Sequence, residues 1–258
     1  MVEETKWSEV VREKTSRLGQ YVRVESDFMV WSLMDFIPDA NWISLPENTR
    51  LACRKPVQLS VARHVGLRVP DTCITNSPED LSQFLGHLDG RPMIMKPVGS
   101  AFMPLSESGD SGAGDNRVVF TRVVDPDLVL QNLSMVSNCP VIFQEAVDKD
   151  CDVRVTVVDD FVCAAEIVLE GCADESNLDW RNHGGVRTYL HHILPGDVGE
   201  MCIRVVSDLG LRFGCVDLAF SNRHGYTFFE VNPQGQWLPS EQKLGYNISG
   251  ALLSSLTR

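Results

Sequence analysis

Three oxygen-bearing side chains near the C-terminal end, Asp217, Glu230 and Asn232, have types and spacing that suit cation binding. Two strand-like runs, Phe213–Phe220 and Tyr226–Val231, flank Ser-Asn-Arg-His-Gly, residues that tolerate turn backbones. A loop centred between Arg223 and His224 sets Asp217 directly opposite Glu230. Their carboxylates then lie about 5 Å apart, a like-charge pairing that destabilises a ladder unless something sits between them. Mg²⁺ would resolve it. Period-2 alternation carries Asn232 to the same face as a third hard oxygen ligand, while Val216, Leu218, Phe229 and Val231 point to the other face. A solvated acidic face on an edge hairpin is the alternative, and the Asn-Pro and Gly-Gln-Trp after Glu230 weigh against it.

Other side chains suit a nucleotide. Lys96 ends the apolar run Pro92-Met93-Ile94-Met95 and precedes Pro97-Val98-Gly99-Ser100, so an ammonium is presented where a strand opens into a loop, either for a nucleotide phosphate or as a plain surface lysine at a strand end. Asp152 and Arg154 fall on one face of a strand by alternation, and on the residues alone an exposed ion pair is one reading of them. Asp179-Trp180-Arg181-Asn182-His183-Gly184-Gly185 is polar, aromatic and irregular, which fits a substrate loop in which Arg181 orients a carboxylate bidentately, the alternative being a structural arginine stacked on Trp180. His191-His192 does not read as a metal site, because neighbours on a strand point oppositely and no Cys or His partner has ligand spacing.

The elements that must position these groups are α+β in kind. Residues 1 to 26 read as an amphipathic helix through Trp7, Val10, Val11, Leu18 and Tyr21, followed by a short helix from Asp27 to Phe36. A third helix starts after Arg54-Lys55-Pro56, with Val61, Val65 and Leu67 facing the core. Then come strand Asp71–Thr75, helix Pro78–Leu88 capped by Ser77, strand Pro92–Pro97, strand Val118–Val124, helix Pro126–Val136 and strand Val141–Glu145. Ser106–Asn116, SESGDSGAGDN, reads as a mobile loop between strands. Two strands from Cys151 to Leu169 surround the turn Asp159-Asp160, a polar stretch runs to Tyr189, and Asp197 caps a helix ending near Gly210. The acidic hairpin comes next, and Ile248–Leu256 closes the chain as a short helix. The expected division is a helical arm at 1–50, a nucleotide-binding lobe at 51–147 and a metal and substrate lobe at 148–258.

With 258 residues, 43% hydrophobic, the chain is long enough for one or two packed cores. A formal charge of −12 without clustered Lys and Arg argues against a nucleic-acid partner. No apolar run approaches the ~18 residues a membrane span needs, and Met1–Lys14 lacks a secretory pattern, so no membrane association and a cytoplasmic location are expected. None of the eight cysteines forms Cys-x-x-Cys, and they read as reduced thiols.

Asp-x12-Glu-x-Asn resembles the metal-binding signature of ATP-grasp ligases. GLRFGCVDLAF and YTFFEVNPQGQW, with Asp179-Trp180-Arg181 and the run from Lys55 to Leu81, resemble one branch, the graspetide (microviridin-type) synthetases, over roughly Met29 to the C-terminus. The resemblance implies an ATP-grasp fold with the nucleotide between two α+β lobes, and ATP with Mg²⁺, two ions, as cofactors. It makes Asp217, Glu230 and Asn232 the metal ligands, Lys55 and Lys96 the phosphate cations, and the backbone of Gln144, Glu145, Ala146 and Val147 the adenine contact. The string itself reads equally as a buried strand. Asp152 becomes a ribose or ordering contact, Arg154 a phosphate contact, and Ser106–Gly114 the phosphate-covering loop, although Asp110 and Asp115 are unexpected there. Arg181 and Arg154 are the catalytic candidates.

The implied reaction joins carboxylates to hydroxyls or amines of a ribosomal precursor peptide through an acyl phosphate, the leader binding a central segment at 155–175. Family members carry a full α/β domain ahead of the matched region. About 50 residues precede Lys55 here, so a shortened homologue, a homo-oligomer or a partner supplying that wall is expected. Two rival readings are a ligase for amino acids or small carboxylates similar to ribosomal-protein glutamate ligases, and a catalytically silent nucleotide-binding subunit.

Overall fold

The computed structural model describes residues 17–37, 40–99, 102–104, 116–118, 121–169 and 187–257. In chain order its helices are α1 (Arg17–Asp35), α2 (Pro46–Ala52), α3 (Lys55–His64), α4 (Pro78–Leu88), α5 (Pro126–Gln131), α6 (Gly196–Asp208), α7 (Leu238–Leu244) and α8 (Ile248–Leu256). The strands are β1 (Thr72–Thr75), β2 (Met93–Pro97), β3 (Phe102–Pro104), β4 (Asn116–Val118), β5 (Arg122–Val124), β6 (Val141–Glu145), β7 (Cys151–Val158), β8 (Phe161–Leu169), β9 (Arg187–His191), β10 (Phe213–Ser221) and β11 (Gly225–Asn232). The chain forms two compact units, one of Met1–Asn41 with Phe102–Val118, the other of Trp42–Ala101 with Val119–Arg258. Among the described residues no helix is long and apolar enough to cross a membrane.

The first unit holds α1 and the antiparallel pair β3–β4. Ser26 and Asp27 look like a helix boundary, yet α1 runs through them without a break. The Ser26 hydroxyl donates to the Val22 carbonyl one turn back, and Ser32 does the same to Phe28. Each serine therefore joins its own helix instead of capping a new one.

The second unit contains two antiparallel sheets. The smaller has the order β1-β6-β2-β5, and α4 covers one face of it with Leu81, Leu85 and Leu88 packed on Met93 and Phe143. This helix begins as its sequence demands: the Ser77 hydroxyl accepts from the Asp80 amide and proline opens the first turn. The expected strand Val118–Val124 is two strands, β4 paired with β3 and β5 paired with β2. The expected helix Pro126–Val136 stops at Gln131 and tightens into a 3₁₀ segment, Leu133–Asn138.

The larger sheet has the order β11-β10-β7-β8-β9. On one face Val153, Val155, Val157, Val216, Leu218, Phe228 and Val231 meet Leu59 and Ala62 of α3 and Cys202 and Val205 of α6. The opposite face is covered at one end by α8, where Ile248 packs with Val158, Phe213 and Cys215. In α3 the buried residues are Gln58, Leu59 and Ala62, with Val61 only half-buried. Helix α6 starts from Pro195 with no side-chain cap, so Asp197 sits in its first turn and does not cap it. Strand β9 and the short helices α2 and α7 were not anticipated.

All seven described cysteines are free. Burial pushes the Cys202 thiol up to about 12 and Cys215 to about 11, so neither holds a thiolate at neutral pH. Iodoacetamide on the native chain is expected to label exposed Cys139 while Cys202 and Cys215 stay unmodified until denaturant is added. Peptide mapping that finds Cys202 alkylated natively as fast as Cys139 contradicts this packing.

Candidate active site

The hairpin β10–β11 pairs Asp217 with Glu230, Val216 with Val231 and Cys215 with Asn232. Asp217, Glu230 and Asn232 therefore share one face of the larger sheet, the face away from α3 and α6. The register reaches this pairing by a different route from the one expected. Ser221 pairs with Gly225, so the loop is Asn222-Arg223-His224, centred on Arg223, with Gly225 at φ +73°. A bulge between Asp217/Leu218 and their partners then absorbs one residue. Leu218 pairs with Phe228, whose side chain is completely buried. Phe228, not Phe229, thus fills the core position, because the bulge turns Phe229 out of the alternation.

The next strand supplies the counter-charge. Arg154 lies opposite Asp217 on β7 and grips its carboxylate with two bonds, Nε to Oδ1 at 2.9 Å and Nη2 to Oδ2 at 3.0 Å. Both side chains are buried, and the fork matches the carboxylate as guanidinium geometry allows. A third donor, Nη1, reaches the Gln236 carbonyl at 3.5 Å. Asp152 shares this face and is held by Lys149, whose ammonium lies 2.7 and 2.6 Å from its two oxygens. Across β7, β10 and β11 one guanidinium thus faces two carboxylates in a row. Ionised carboxylates keep further lone pairs when bound to arginine, so the donor set of two carboxylates and an amide oxygen fits a hard divalent cation.

A tight turn after β11 orients Asn232. Its Oδ1 accepts from the Gln234 amide at 3.0 Å and its carbonyl from the Gly235 amide at 3.2 Å, a side-chain turn of the kind asparagine favours. Gly235 closes this turn against the sheet, where an added Cβ would lie 2.4 Å from the Cβ of buried Cys215. Any side chain at 235 would lift the turn and release Asn232 from it.

On the smaller sheet, Lys96, Gln144 and Thr72 form a polar row on the face away from α4. Lys96 donates to Gln144 Oε1 at 2.8 Å, and Gln144 Nε2 donates to Thr72 at 2.7 Å. Lys55, the first residue of α3, reaches the Pro97 carbonyl beside Lys96 at 3.0 Å. The amides of Glu145 and Ala146 are taken by the carbonyls of Asp71 and Pro92, and the Glu145 carboxylate pairs with Arg91 at 2.9 Å. Ala146 and Val147 open the segment that joins the two sheets.

Gln58 fastens α3 to the acidic hairpin and carried no signal in the sequence. Its buried carboxamide accepts from the Val231 amide at 2.9 Å and donates to the Val231 carbonyl at 2.7 Å, taking the place of a further strand on the sheet edge. Val231 lies between Glu230 and Asn232. Farther along β11, Phe228 donates to the Arg68 carbonyl at 2.7 Å. Lys149 and Gly235 were likewise missed as site-shaping residues. Arg181 and all but the last residue of Ser106–Asn116 lie outside the described residues.

A family model described as a RimK-like ATP-grasp domain matches residues 53–256, which include both sheets of the second unit and every candidate residue. The chain belongs to this ATP-grasp family. A curated relative, the ribosomal protein bS6 L-glutamate ligase of Salmonella paratyphi B, is 27% identical over 206 residues, covering 78% of this chain and 62% of the relative. The chain thus spans about 62% of the length of the curated relatives it matches. Among solved structures, macrocyclase MdnC of Microcystis aeruginosa bound with precursor peptide MdnA is 25% identical with a TM-score of 0.74, covering 92% of this chain and 72% of that one. A RiPP-associated ATP-grasp ligase of Chryseobacterium gregarium in complex with ADP and a leader and core peptide has the same identity and TM-score, covering 95% and 70%. The ATP-grasp ligase PsnB complexed with precursor peptide PsnA2 and AMPPNP is 25% identical with a TM-score of 0.68, covering 97% and 75%. The α+β ATP-grasp fold and the graspetide-type resemblance are both supported by these matches.

Arg154→Met strips a buried carboxylate of its partner and is expected to destabilise the ATP-grasp domain by about 3–5 kcal/mol. Adding Asp217→Asn should return most of that loss in urea unfolding; a double variant no more stable than the single one speaks against the pairing. Gln58→Ala leaves the Val231 amide and carbonyl unpaired, at a cost of about 1–3 kcal/mol each. Thermal unfolding is expected to fall while far-UV circular dichroism stays unchanged.

Proposed function

We propose that the chain is an ATP-dependent ligase that joins a carboxylate to a hydroxyl or amine, and that its substrate is a ribosomal precursor peptide. The observation that carries this reading is the single sheet face bearing Asp217, Glu230, Asn232 and Arg154, within a domain whose family is established. Peptide complexes of the neighbouring macrocyclase and ATP-grasp ligases support the substrate class, and nucleotide complexes among them support ATP.

In this reading residues 51–147 form the nucleotide lobe, residues 148–258 the metal and substrate lobe, and residues 1–50 an arm. Asp217, Glu230 and Asn232 hold Mg²⁺, which when bound neutralises charge on the terminal phosphates of ATP. Lys96 and Lys55, brought to the same end of β2, supply the ammonium charges for the polyphosphate. The linker at 144–147 receives the adenine. Since the amides of Glu145 and Ala146 are engaged within the fold, its contact there runs through the Val147 amide and the linker carbonyls. Arg154 acts by holding Asp217 and the Gln236 turn in place, and Asp152 with Lys149 orders the start of β7.

The chemistry is phosphoryl transfer and then acyl transfer. A substrate carboxylate oxygen attacks the γ-phosphorus, ADP leaves, and an acyl phosphate forms. A hydroxyl or amine adds to its carbonyl, loses its proton, and inorganic phosphate departs with the ester or amide formed. Arg181 orients the carboxylate and stabilises the oxyanion. No enzyme nucleophile is needed, in keeping with the raised thiols of the buried cysteines.

Ligation of a free amino acid is the second reading, favoured by the identity with the bS6 glutamate ligase. The two differ in mass: cyclisation removes one water per bond from the peptide, whereas glutamate addition increases the acceptor mass. Mass spectrometry of Thr-, Asp- and Glu-rich candidate peptides incubated with the chain, ATP and Mg²⁺ is expected to show water loss coupled to ADP release. Glu230→Ala should stop both, and turnover that survives this substitution refutes the site.

A further inference from the structure

We propose that Cys151, Glu166 and His192 form a binding site for a borderline-soft divalent cation of the Zn²⁺ class, on the helix-packed face of the larger sheet. One donor atom from each lies within 4.8 Å of the others. Cys151 lies on β7, Glu166 on β8 and His192 directly after β9. Val153 pairs with Glu166, so Cys151 and Glu166 are diagonal neighbours on one face of β7–β8. Ala165 pairs with His191, and the His192 amide donates to the Ala164 carbonyl, which sets His192 beside Glu166 just past the end of β9.

The geometry suits a metal. His192 Nδ1 stands 3.6 Å from Glu166 Oε2, near the roughly 3.4 Å that separates two ligands at about 2.0–2.1 Å from a tetrahedral ion. The other ring nitrogen, Nε2, lies 2.7 Å from the Tyr226 hydroxyl. In the tautomer that donates from Nε2 to the Tyr226 hydroxyl, Nδ1 turns its lone pair toward Glu166, and the hydroxyl is the outer partner that ligating histidines carry. Phe220 and Tyr226 hold the imidazole edgewise. Thiolate, imidazole and carboxylate together are a donor set for Zn²⁺, not for Mg²⁺ or Ca²⁺. Three protein ligands leave a fourth position, and Glu166, with 30% of its side chain exposed, gives water access to it.

The local field also favours a cation. Burial first, then the charges of Glu166 and Asp152, a hydrogen bond to Glu166 and the charge of Asp150 push the Cys151 thiol up to about 12. A cysteine so placed is a poor nucleophile on its own, and a divalent ion among the acidic groups reverses the effect by binding the thiolate. This site is separate from the face carrying Asp217 and Glu230 and does not depend on the ligase reading.

The test uses the full chain, stripped by a chelator and titrated with Co²⁺ as a spectroscopic probe. One equivalent is expected to produce a near-ultraviolet thiolate-to-cobalt charge-transfer band that Cys151→Ser abolishes. His192→Gln and Glu166→Gln should each weaken Co²⁺ affinity at least about tenfold, and one equivalent of Zn²⁺ should protect Cys151, but not Cys139, from alkylation. Absence of the band in the unsubstituted chain, its survival in Cys151→Ser, or alkylation of Cys151 at an unchanged rate with Zn²⁺ present overturns the proposal. The alkylation arm needs no variant and decides the matter even where Cys151→Ser folds poorly.

Discussion

Asp217 faces Glu230 across an antiparallel ladder, and this like-charge pairing constrains everything around it. Two carboxylates at that spacing repel unless a positive group is near, and in this sheet Arg154 provides one from the opposite flank of β10. The arrangement requires β10 to lie between β7 and β11, which is the observed order. It also requires Arg154 to be desolvated, a cost that only good geometry and a full set of bonds offset. Its two bonds to Asp217 and a third to the Gln236 carbonyl meet that demand and tie the turn after β11 to the same guanidinium.

The acidic pair was legible in the sequence because its spacing follows from strand alternation, yet the assumed loop centre was displaced. A loop centred on Arg223 would slip Asp217 past Glu230, and the bulge at Phe229 restores the pairing. Two adjacent aromatics, Phe228 and Phe229, hide that bulge. Either satisfies an apolar pattern, and only the register of β11 on β10 selects Phe228 for the core. Helices with local punctuation were read to the residue, as with Pro78–Leu88 and Ile248–Leu256. The break expected at Ser26 failed because a serine hydroxyl that bonds back to Val22 is indistinguishable, in sequence, from one that caps forward.

Buried amides were the least legible part of the site. Gln58 pairs with the backbone of a residue 173 positions away, and Gln144 links Lys96 to Thr72 across three strands. Neither partner leaves a local pattern, since one is main chain and the other a single hydroxyl. Such bonds contribute modestly when made and cost heavily when one side is lost, so they set position more than stability. Gln58 holds α3, and with it Lys55, against the strand that carries Glu230 and Asn232. The helix that begins at Lys55 and the hairpin that carries the carboxylates are therefore fastened to each other through Gln58.

Strand alternation further divides the labour of the larger sheet between its faces. Asp152, Arg154 and Thr156 look one way with Asp217 and Cys215; Cys151, Val153 and Val155 look the other with Phe220, Leu218 and Val216. His191 and His192 split likewise, one reaching Tyr246 and the other Tyr226. Expecting neighbouring histidines to diverge was sound, and the accompanying expectation of no Cys or His partner with ligand spacing was drawn from sequence separation alone. It weighed partners along the chain, whereas a sheet supplies them from adjacent strands. Cys151 and Asp152 are consecutive yet serve opposite faces, so a cation held by Cys151 would act on the face bearing Asp217 and Glu230 only through the backbone of β7, by stiffening the strand end from which Asp152 and Arg154 project.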